Sequence, residues 1–322
     1  MRGRLPRKTC LKTRGKLEGS HSKSSARGED SRGPGLQVPK GHSNGVPDRL
    51  SLTGLIQCPY CSFADRKVCA SVPLVSVITP AFKAARFIGE TIASVQAQSL
   101  QDWEMIIADD CSPDETCEIV AGFAADDPRI RLLRQDRNQG PAATRNAALA
   151  RASGRYIAFL DSDDLWLPEK LEKQISFMTL KDCAISYTQY RRLSEDSKTL
   201  GHLIRPPASQ TYREALKNAA IPNLTSMVDT AKTGPIRINE AGYRAHDYIL
   251  WLSLLRQGHA AHCLQEDLAR YRSVVGSISS SHRRSAYWVW RIYRDIEKLS
   301  LPYAAWCLAH YAGHALLKRR VF

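Results

Sequence analysis

From residue 73 onward the hydrophobic pattern switches repeatedly between strand-like and helix-like periods. Leu74 to Thr79 is a short β-branched apolar run of the kind that fills a buried parallel strand. Residues 85–98 then place Ile88, Ile92 and Val95 at helical spacing. Trp103 to Ala108 reads as a second strand, Asp114 to Ala125 as a helix opened by Ser112-Pro113, and Ile130 to Leu133 as a third strand. Pro141 to Ala152, rich in Ala with Pro near its first position, predicts a helix, and Tyr156 to Leu160 a fourth strand. Strands alternating with helices predict an α/β fold with a doubly wound sheet and right-handed crossovers. In such sheets ligands bind beyond the carboxyl ends of the strands. That rule selects Pro80 to Lys83, Asp109 to Ser112 and Asp161 to Asp164 as the places for chemistry.

The second half is less regular. Ala184 to Leu193 and Leu224 to Asp229 read as strands, Tyr212 to Asn218 as a short helix, and Asp247 to Arg256 as a helix with Ile249, Leu252 and Leu255 on one face. His259 to Leu264 and Leu268 to Arg272 read as two returns to the sheet, and Ser285 to Leu299 and Tyr303 to Lys318 as closing helices. Residues 1–72 show no apolar period, are rich in Gly, Ser, Lys and Arg, and read as a basic, disordered extension. Three segments follow: the extension 1–72, a domain over 73–280 and a helical extension over 281–322.

Composition sharpens this picture only in part. Hydrophobic residues make up 43% and charged residues 24% of the 322, which suits a globular chain and argues against a disordered, collagen-like or multi-span membrane protein. The net charge of +14 points to a polyanionic partner until it is located: residues 1–73 hold 14 Lys and Arg against 5 Asp and Glu, leaving 32 against 27 for the rest. The basic extension lacks interleaved aromatics, so a solvated arm is the better reading and nucleic acid is not expected as a partner. Nine cysteines, an odd number lying mostly alone among apolar residues, favour a reducing compartment. No apolar stretch follows the first residues, which places the protein in the cytoplasm. Cys58-Pro59-Tyr60-Cys61 has redox spacing but no strand and helix around it, and Cys69 leaves a zinc site one ligand short.

Two acidic clusters carry candidate chemistry. In an extended loop residues i and i+2 face one side, so Asp161 and Asp163 of Asp161-Ser162-Asp163-Asp164 can converge on a hard divalent cation shared with a diphosphate. The alternative is a solvated acidic turn capping the helix that starts at Pro168. In Asp109-Asp110-Cys111-Ser112 a carboxylate can accept hydrogen bonds from a base or ribose, or Ser112 can simply cap the next helix.

Four runs in order are more specific than either cluster. Val75 to Phe82, Asp109 to Ser112, Asn138 to Asn146 and Tyr156 to Asp164 together resemble the family 2 glycosyltransferases of the GT-A fold, densely over 73–180 and more loosely to about 275. Leu165 to Leu171 and Asp247 to Leu252 are similar in texture to the bacterial members that build surface polysaccharide. The resemblance implies a Rossmann-like mixed sheet flanked by helices, and a set of roles. Pro80, Ala81 and Phe82 would line the nucleotide pocket, Asp110 would contact uracil or ribose, and Arg145 and Ser162 would lie by the nucleotide. Asp161 would meet ribose or metal, Asp163 would ligate Mn²⁺ or Mg²⁺, and Asp247, 84 residues after Asp163, would be the general base. Read alone, Asp247 is also an ordinary first-turn helix acid. The chain departs from the family's pattern at Phe82-Lys83, where Tyr-Asn is common, and at His246, where Glu or Gln usually precedes the base.

The implied activity is inverting, metal-dependent transfer of a sugar from a nucleotide diphosphate, expected to be UDP, to a lipid-linked saccharide. A sugar nucleotidyltransferase would need a Gly-rich loop after the first strand, and Thr79-Pro80-Ala81-Phe82 has none. A non-catalytic scaffold or a nucleic-acid or membrane binder working through the basic extension is the other class, and deleting that extension separates it from a transferase. The last helix, with Trp306, Tyr311 and Leu316 before Lys318-Arg319-Arg320, reads either as an interfacial helix on the inner face of the cytoplasmic membrane or as a helix packed on the domain.

Overall fold

The structure, a computed structural model, describes residues 72–243, 245–274 and 282–320. The basic extension up to residue 71 and the Cys58–Cys61 motif lie outside the described residues.

The first half follows the alternation of its sequence. Strands β1 (Val75–Ala81), β2 (Trp103–Asp109), β3 (Ile130–Arg134) and β4 (Tyr156–Phe159) alternate with helices α1 (Ile88–Gln96), α2 (Thr116–Asp126) and α3 (Pro141–Leu149). They pair in parallel in the order β3-β2-β1-β4, with Val75 opposite Trp103 and Tyr156. The apolar runs of β1 and β2 look continuous, yet a period of two operates within them. Val77, Met105 and Ile107 pack on one face with Ile88 and Ile92 of α1, while Ile78, Ile106 and Ala108 face the other. Both faces are covered, which is why polar alternation is absent.

The second half turns the sheet from parallel to mixed. In chain order it holds β5 (Leu165–Trp166), α4 (Lys170–Lys181), β6 (Ile185–Ser194), β7 (Leu200–Ile204), β8 (Ser209–Gln210), α5 (Tyr212–Ala215), β9 (Met227–Asp229), α6 (Thr230–Thr233), α7 (His246–Arg256), β10 (Ala261–Ser273), α8 (His282–Arg291) and α9 (Leu301–Arg320). The sheet continues from β4 through β9, β6 and β10 to β5, with β7 on β6 and β8 on β10. β9 is antiparallel to both β4 and β6, whereas β10 runs parallel to β6. The two returns expected at 259–264 and 268–272 are one strand, β10, made continuous by irregular register between Leu264, Asp267 and Ala269. The strand expected over 224–229 splits into a 3-10 turn at Asn223–Thr225 and β9.

Helix α7 is more buried than its pattern suggests. Beyond the expected face of Ile249, Leu252 and Leu255, it buries Tyr248, Leu250, Trp251 and Leu254, and Trp251 meets Phe159 of β4 edge-on at 5.8 Å. The reason is that α8 and α9 cover its outer side. Val289, Ile292, Tyr293, Ala304 and Cys307 belong to the same apolar cluster as α7, so the closing helices share the sheet's core. Burial of an aliphatic side chain such as Val289 or Ile292 contributes about 1.5–3 kcal/mol.

A polar clamp fixes the amino-terminal edge of the parallel strands. Glu104 of β2 accepts from Ser76 Oγ at 2.7 Å, from Ser153 N at 2.8 Å and from Arg131 Nη1 at 2.9 Å. Ser76 Oγ in turn accepts from Gly154 N at 2.8 Å, and a Cβ at Gly154 would lie 2.6 Å from Ser76 N, so the loop approaches β1 only with glycine there. Burial works to raise the Glu104 carboxyl, but its hydrogen bonds from Ser76, Ser153 and Arg131 outweigh burial and hold it below its ordinary value of 4.5. A depressed carboxyl stabilises the fold above that ordinary value, and the contribution is lost as pH falls through the folded value. Glu104→Gln is therefore expected to cost about 1–3 kcal/mol at neutral pH and to flatten the acid limb of stability below pH 4.5 in urea titrations. Unchanged stability on both counts would contradict the clamp.

Candidate active site

The carboxyl ends of β1 and β2 are stitched into one rim. Asp110 N donates to Ala81 O at 2.9 Å, Lys83 N to Ser112 Oγ at 3.0 Å and Ala84 N to Thr116 Oγ1 at 2.9 Å. Lys83 and Cys111 hold left-handed backbone, with φ of 53° and 60°, a conformation that costs non-glycine residues about 1 kcal/mol or more. Ala81 is buried and Pro80 half-buried, while Phe82 is 45% exposed at the lip. Of the expected pocket lining, Phe82 is the most exposed side chain.

Asp110 is buried and turned inward. Its Oδ1 accepts from Gln139 N at 2.7 Å and its Oδ2 from Gly140 N at 2.9 Å, while Asn138 Nδ2 donates to its carbonyl at 3.2 Å. In this structure the carboxylate anchors the Asn138-Gln139-Gly140 turn that leads into α3. Any contact with a base or ribose, expected from the resemblance, has only its remaining lone pairs to use.

The acidic loop after β4 brings the expected residues together. Arg145 of α3, only 8% exposed, donates from Nη2 to Asp161 and contacts His246 Nε2 through Nη1. His246 begins α7 and is followed by Asp247, half-buried in the first turn. One guanidinium thus links the loop of Asp161 to the helix of Asp247. The departure at His246 acquires a role here, since burial and then the Arg145 charge hold its imidazole below the ordinary value and keep it neutral against the cation. Ser162 is held by its carbonyl, which accepts from Thr91 Oγ1 at 3.0 Å.

Asp163 and Asp164 behave differently. Burial, with the Asp161 charge, pushes the Asp163 carboxyl up to about 6, and no other side chain hydrogen-bonds to it among the described residues. Asp164 is fully buried; burial, then the charges of Asp163 and Asp161, raises it well above the carboxylate range. Its Oδ1 accepts from Arg272 N at 2.8 Å and its Oδ2 is without a partner. Among the described residues no three His, Cys, Asp or Glu side chains enclose a metal site. The donor set that exists is the carboxylate pair of Asp161 and Asp163, both half-buried, with Asp163 free of any side-chain cation in contact among the described residues. That fits a hard divalent ion whose other ligands are diphosphate oxygens rather than an all-protein cage.

Arg272, at the end of β10, is the residue that sequence reasoning missed. Its Nε donates to Asp163 O at 2.8 Å and its Nη2 to Glu90 Oε2 of α1 at 2.8 Å, while Nη1 reaches Glu195 O and Ser197 Oγ of the β6–β7 turn. Its guanidinium also lies 4.8 Å from the Phe87 ring centroid. No local signal in the sequence marks it: its full burial, which requires partners for the charge, and its place beside the acidic loop both come from the fold. Lysine keeps the charge but cannot serve these acceptors together. Arg272→Lys is expected to lower unfolding free energy by about 2–4 kcal/mol, read by chemical denaturation, and wild-type stability would show that the latch is idle.

Comparison with known proteins agrees with this geometry. The profile of glycosyl transferase family 2 matches residues 76–241. A Bacillus subtilis (strain 168) protein named as teichuronic acid biosynthesis glycosyltransferase TuaG is 47% identical over 247 residues, covering 77% of this chain and 98% of that protein. The Escherichia coli UDP-Glc:alpha-D-GlcNAc-diphosphoundecaprenol beta-1,3-glucosyltransferase WfgD is 37% identical over 69% of this chain and 86% of its own length. A mannosyltransferase from Pyrobaculum calidifontis, solved with GDP-Man and Mn2+, shares the fold at a TM-score of 0.54 and 16% identity, over 79% of this chain and 77% of that one. The rim, the acidic loop and these matches together mean that the chain belongs to glycosyltransferase family 2 and is a glycosyltransferase of the GT-A fold.

Proposed function

We propose that this glycosyltransferase is inverting and metal-dependent, and moves a sugar from a UDP-linked donor onto a lipid-linked saccharide in bacterial surface-polysaccharide synthesis at the inner face of the cytoplasmic membrane. The observation that carries the reading is the Arg145 bridge from α3, which joins Asp161 of the loop after β4 to His246, the residue before Asp247 in α7, at the carboxyl end of the sheet. The names of the relatives support the pathway: one concerns teichuronic acid, and the other a UDP-Glc donor with a diphosphoundecaprenol acceptor. The Mn2+ in the mannosyltransferase complex supports the cofactor, Mn²⁺ or Mg²⁺. In this reading residues 73–280 carry the chemistry.

Asp161 and Asp163 would hold the cation, which when bound supplies positive charge to a departing nucleoside diphosphate. Arg145 orients the Asp161 carboxylate by a charge-assisted hydrogen bond. Phe82 and the rim beneath it offer a surface for the donor's base, with Pro80 and Ala81 shaping the floor. Asp247 takes the proton from the acceptor hydroxyl as it attacks the anomeric carbon from the side opposite the leaving group. Attack from that side inverts the configuration, and a single carboxylate base suffices because no covalent glycosyl-enzyme forms.

Asp247→Asn retains size but cannot accept the proton. With a UDP-sugar and a diphosphoundecaprenol-linked acceptor, its kcat is expected to fall by about 10²–10⁴-fold with little change in donor KM. Product NMR with the wild type is expected to show β-anomeric linkage from an α-linked donor. Full activity in the variant, or a retained anomeric configuration, would overturn the assignment.

A further inference from the structure

Helix α9 is packed on one side and bare on the other. Ala304 and Cys307 are buried in the core, yet every exposed position between Leu301 and His314 is Leu, Pro, Ala, Trp, Gly or His. A solvated helix face ordinarily carries Lys and Glu. Here Leu301 is 59% and Trp306 45% exposed, and residues 301–322 hold no Asp or Glu while Lys318, Arg319 and Arg320 follow in sequence. Among the described residues no helix is long and apolar enough to cross a membrane.

Positive charge borders the apolar face. Arg213 and Lys217, from α5 and the turn after it, line a groove of about 410 Å³ together with Tyr212, Tyr303 and Trp306. The nearby acids are occupied. Glu214 caps its own helix through Thr211 N and Oγ1, both at 2.8 Å, and Glu297 is buried against Tyr212 and Arg256. The Trp306 ring already contacts Tyr303 at 5.8 Å, His310 at 4.5 Å and the Lys217 ammonium at 4.6 Å, which leaves its rim, rather than an open face, for a partner. That arrangement suits the headgroup level of a bilayer, where an indole rim and cations sit together, better than stacking of a sugar. A second copy of the chain would set like charges against each other across a two-fold axis.

We infer that the exposed face of α9, with Arg213 and Lys217, is a docking surface for an anionic bilayer. α9 also ties that surface to the site's helix: Tyr311, about 7.5 Å further along the helix than Trp306, packs against the apolar cluster that holds α7. Docking through α9 would hold the base's side of the site at the membrane surface, where a lipid-linked acceptor presents its hydroxyl. The inference extends the acceptor reading above, but vesicle binding requires no nucleotide, so the two fail separately.

The test is sedimentation of the full chain with phosphatidylcholine vesicles made with and without phosphatidylglycerol. Wild type is expected to bind the anionic vesicles more tightly. Arg213→Glu with Lys217→Glu should weaken that binding about 30-fold or more, and Leu301→Glu with Trp306→Glu about tenfold or more on both compositions. Thermal melting of both variants checks that they remain folded, and light scattering without lipid reports self-association. Wild-type binding by the folded variants would assign membrane attachment to another part of the chain and overturn the proposal. No binding by wild type, or a wild-type dimer that these substitutions dissociate, would overturn it as well.

Discussion

Three carboxylates within four residues at the end of β4 are more negative charge than a half-buried loop can hold alone. Burial, and then the charge of Asp161, pushes the Asp163 carboxyl up to about 6, and burial with the charges of Asp163 and Asp161 raises Asp164 well above its ordinary value. The loop is held by two arginines from distant elements. Arg145 takes the Asp161 carboxylate, and Arg272 takes the Asp163 carbonyl and the Asp164 side chain through its backbone. The half-satisfied remainder, an Asp163 carboxylate without a protein cation, is the feature that a charged ligand can complete. Protein interiors tolerate such a group where function requires it, at a cost that the surrounding hydrogen bonds must offset.

The sheet order explains why the two arginines arrive there. Parallel β1, β2 and β4 end at one edge, so the turn into α3 and the loop after β4 are neighbours despite their separation in sequence. β9 then reverses direction, which lets β6 and β10 extend the sheet and deliver Arg272 to the same edge. α7 enters with His246 and Asp247 at its amino end, and α8 and α9 seal it from behind. The amino-terminal edge, by contrast, is closed by the Glu104 clamp and the tight approach of Gly154, which leaves chemistry to the other end.

Much of this was legible in the residues. The apolar runs of β1, β2 and β4 and the helical spacing of α1 follow from neighbours in sequence, and the four motif runs put Asp161, Asp163 and Arg145 in one family frame, to which the resemblance adds Asp247, 84 residues after Asp163. What escaped reading depends on distant partners. Arg272 acts on Glu90, which lies 182 residues away, and local period carries no trace of that contact. β10 read as two strands because the residues around Asp267 break alternation while pairing with β6 carries the chain across the gap. α7 read as one-sided because the helices covering its other side come later in the chain. β5 and β8, of two residues each, are too short for any period to register. The inward turn of Asp110 is of the same kind, set by amides about 30 positions on.

The central claim is that the acidic loop is a donor site completed by a divalent cation. Calorimetric titration of UDP into the full chain, with and without Mn²⁺, tests it most directly when wild type is set beside Asp163→Ala. The account predicts binding that depends on Mn²⁺ in wild type and is lost in the variant, while both proteins melt as folded chains. Equal UDP binding in wild type and variant, or no binding by folded wild type with Mn²⁺ present, would contradict it.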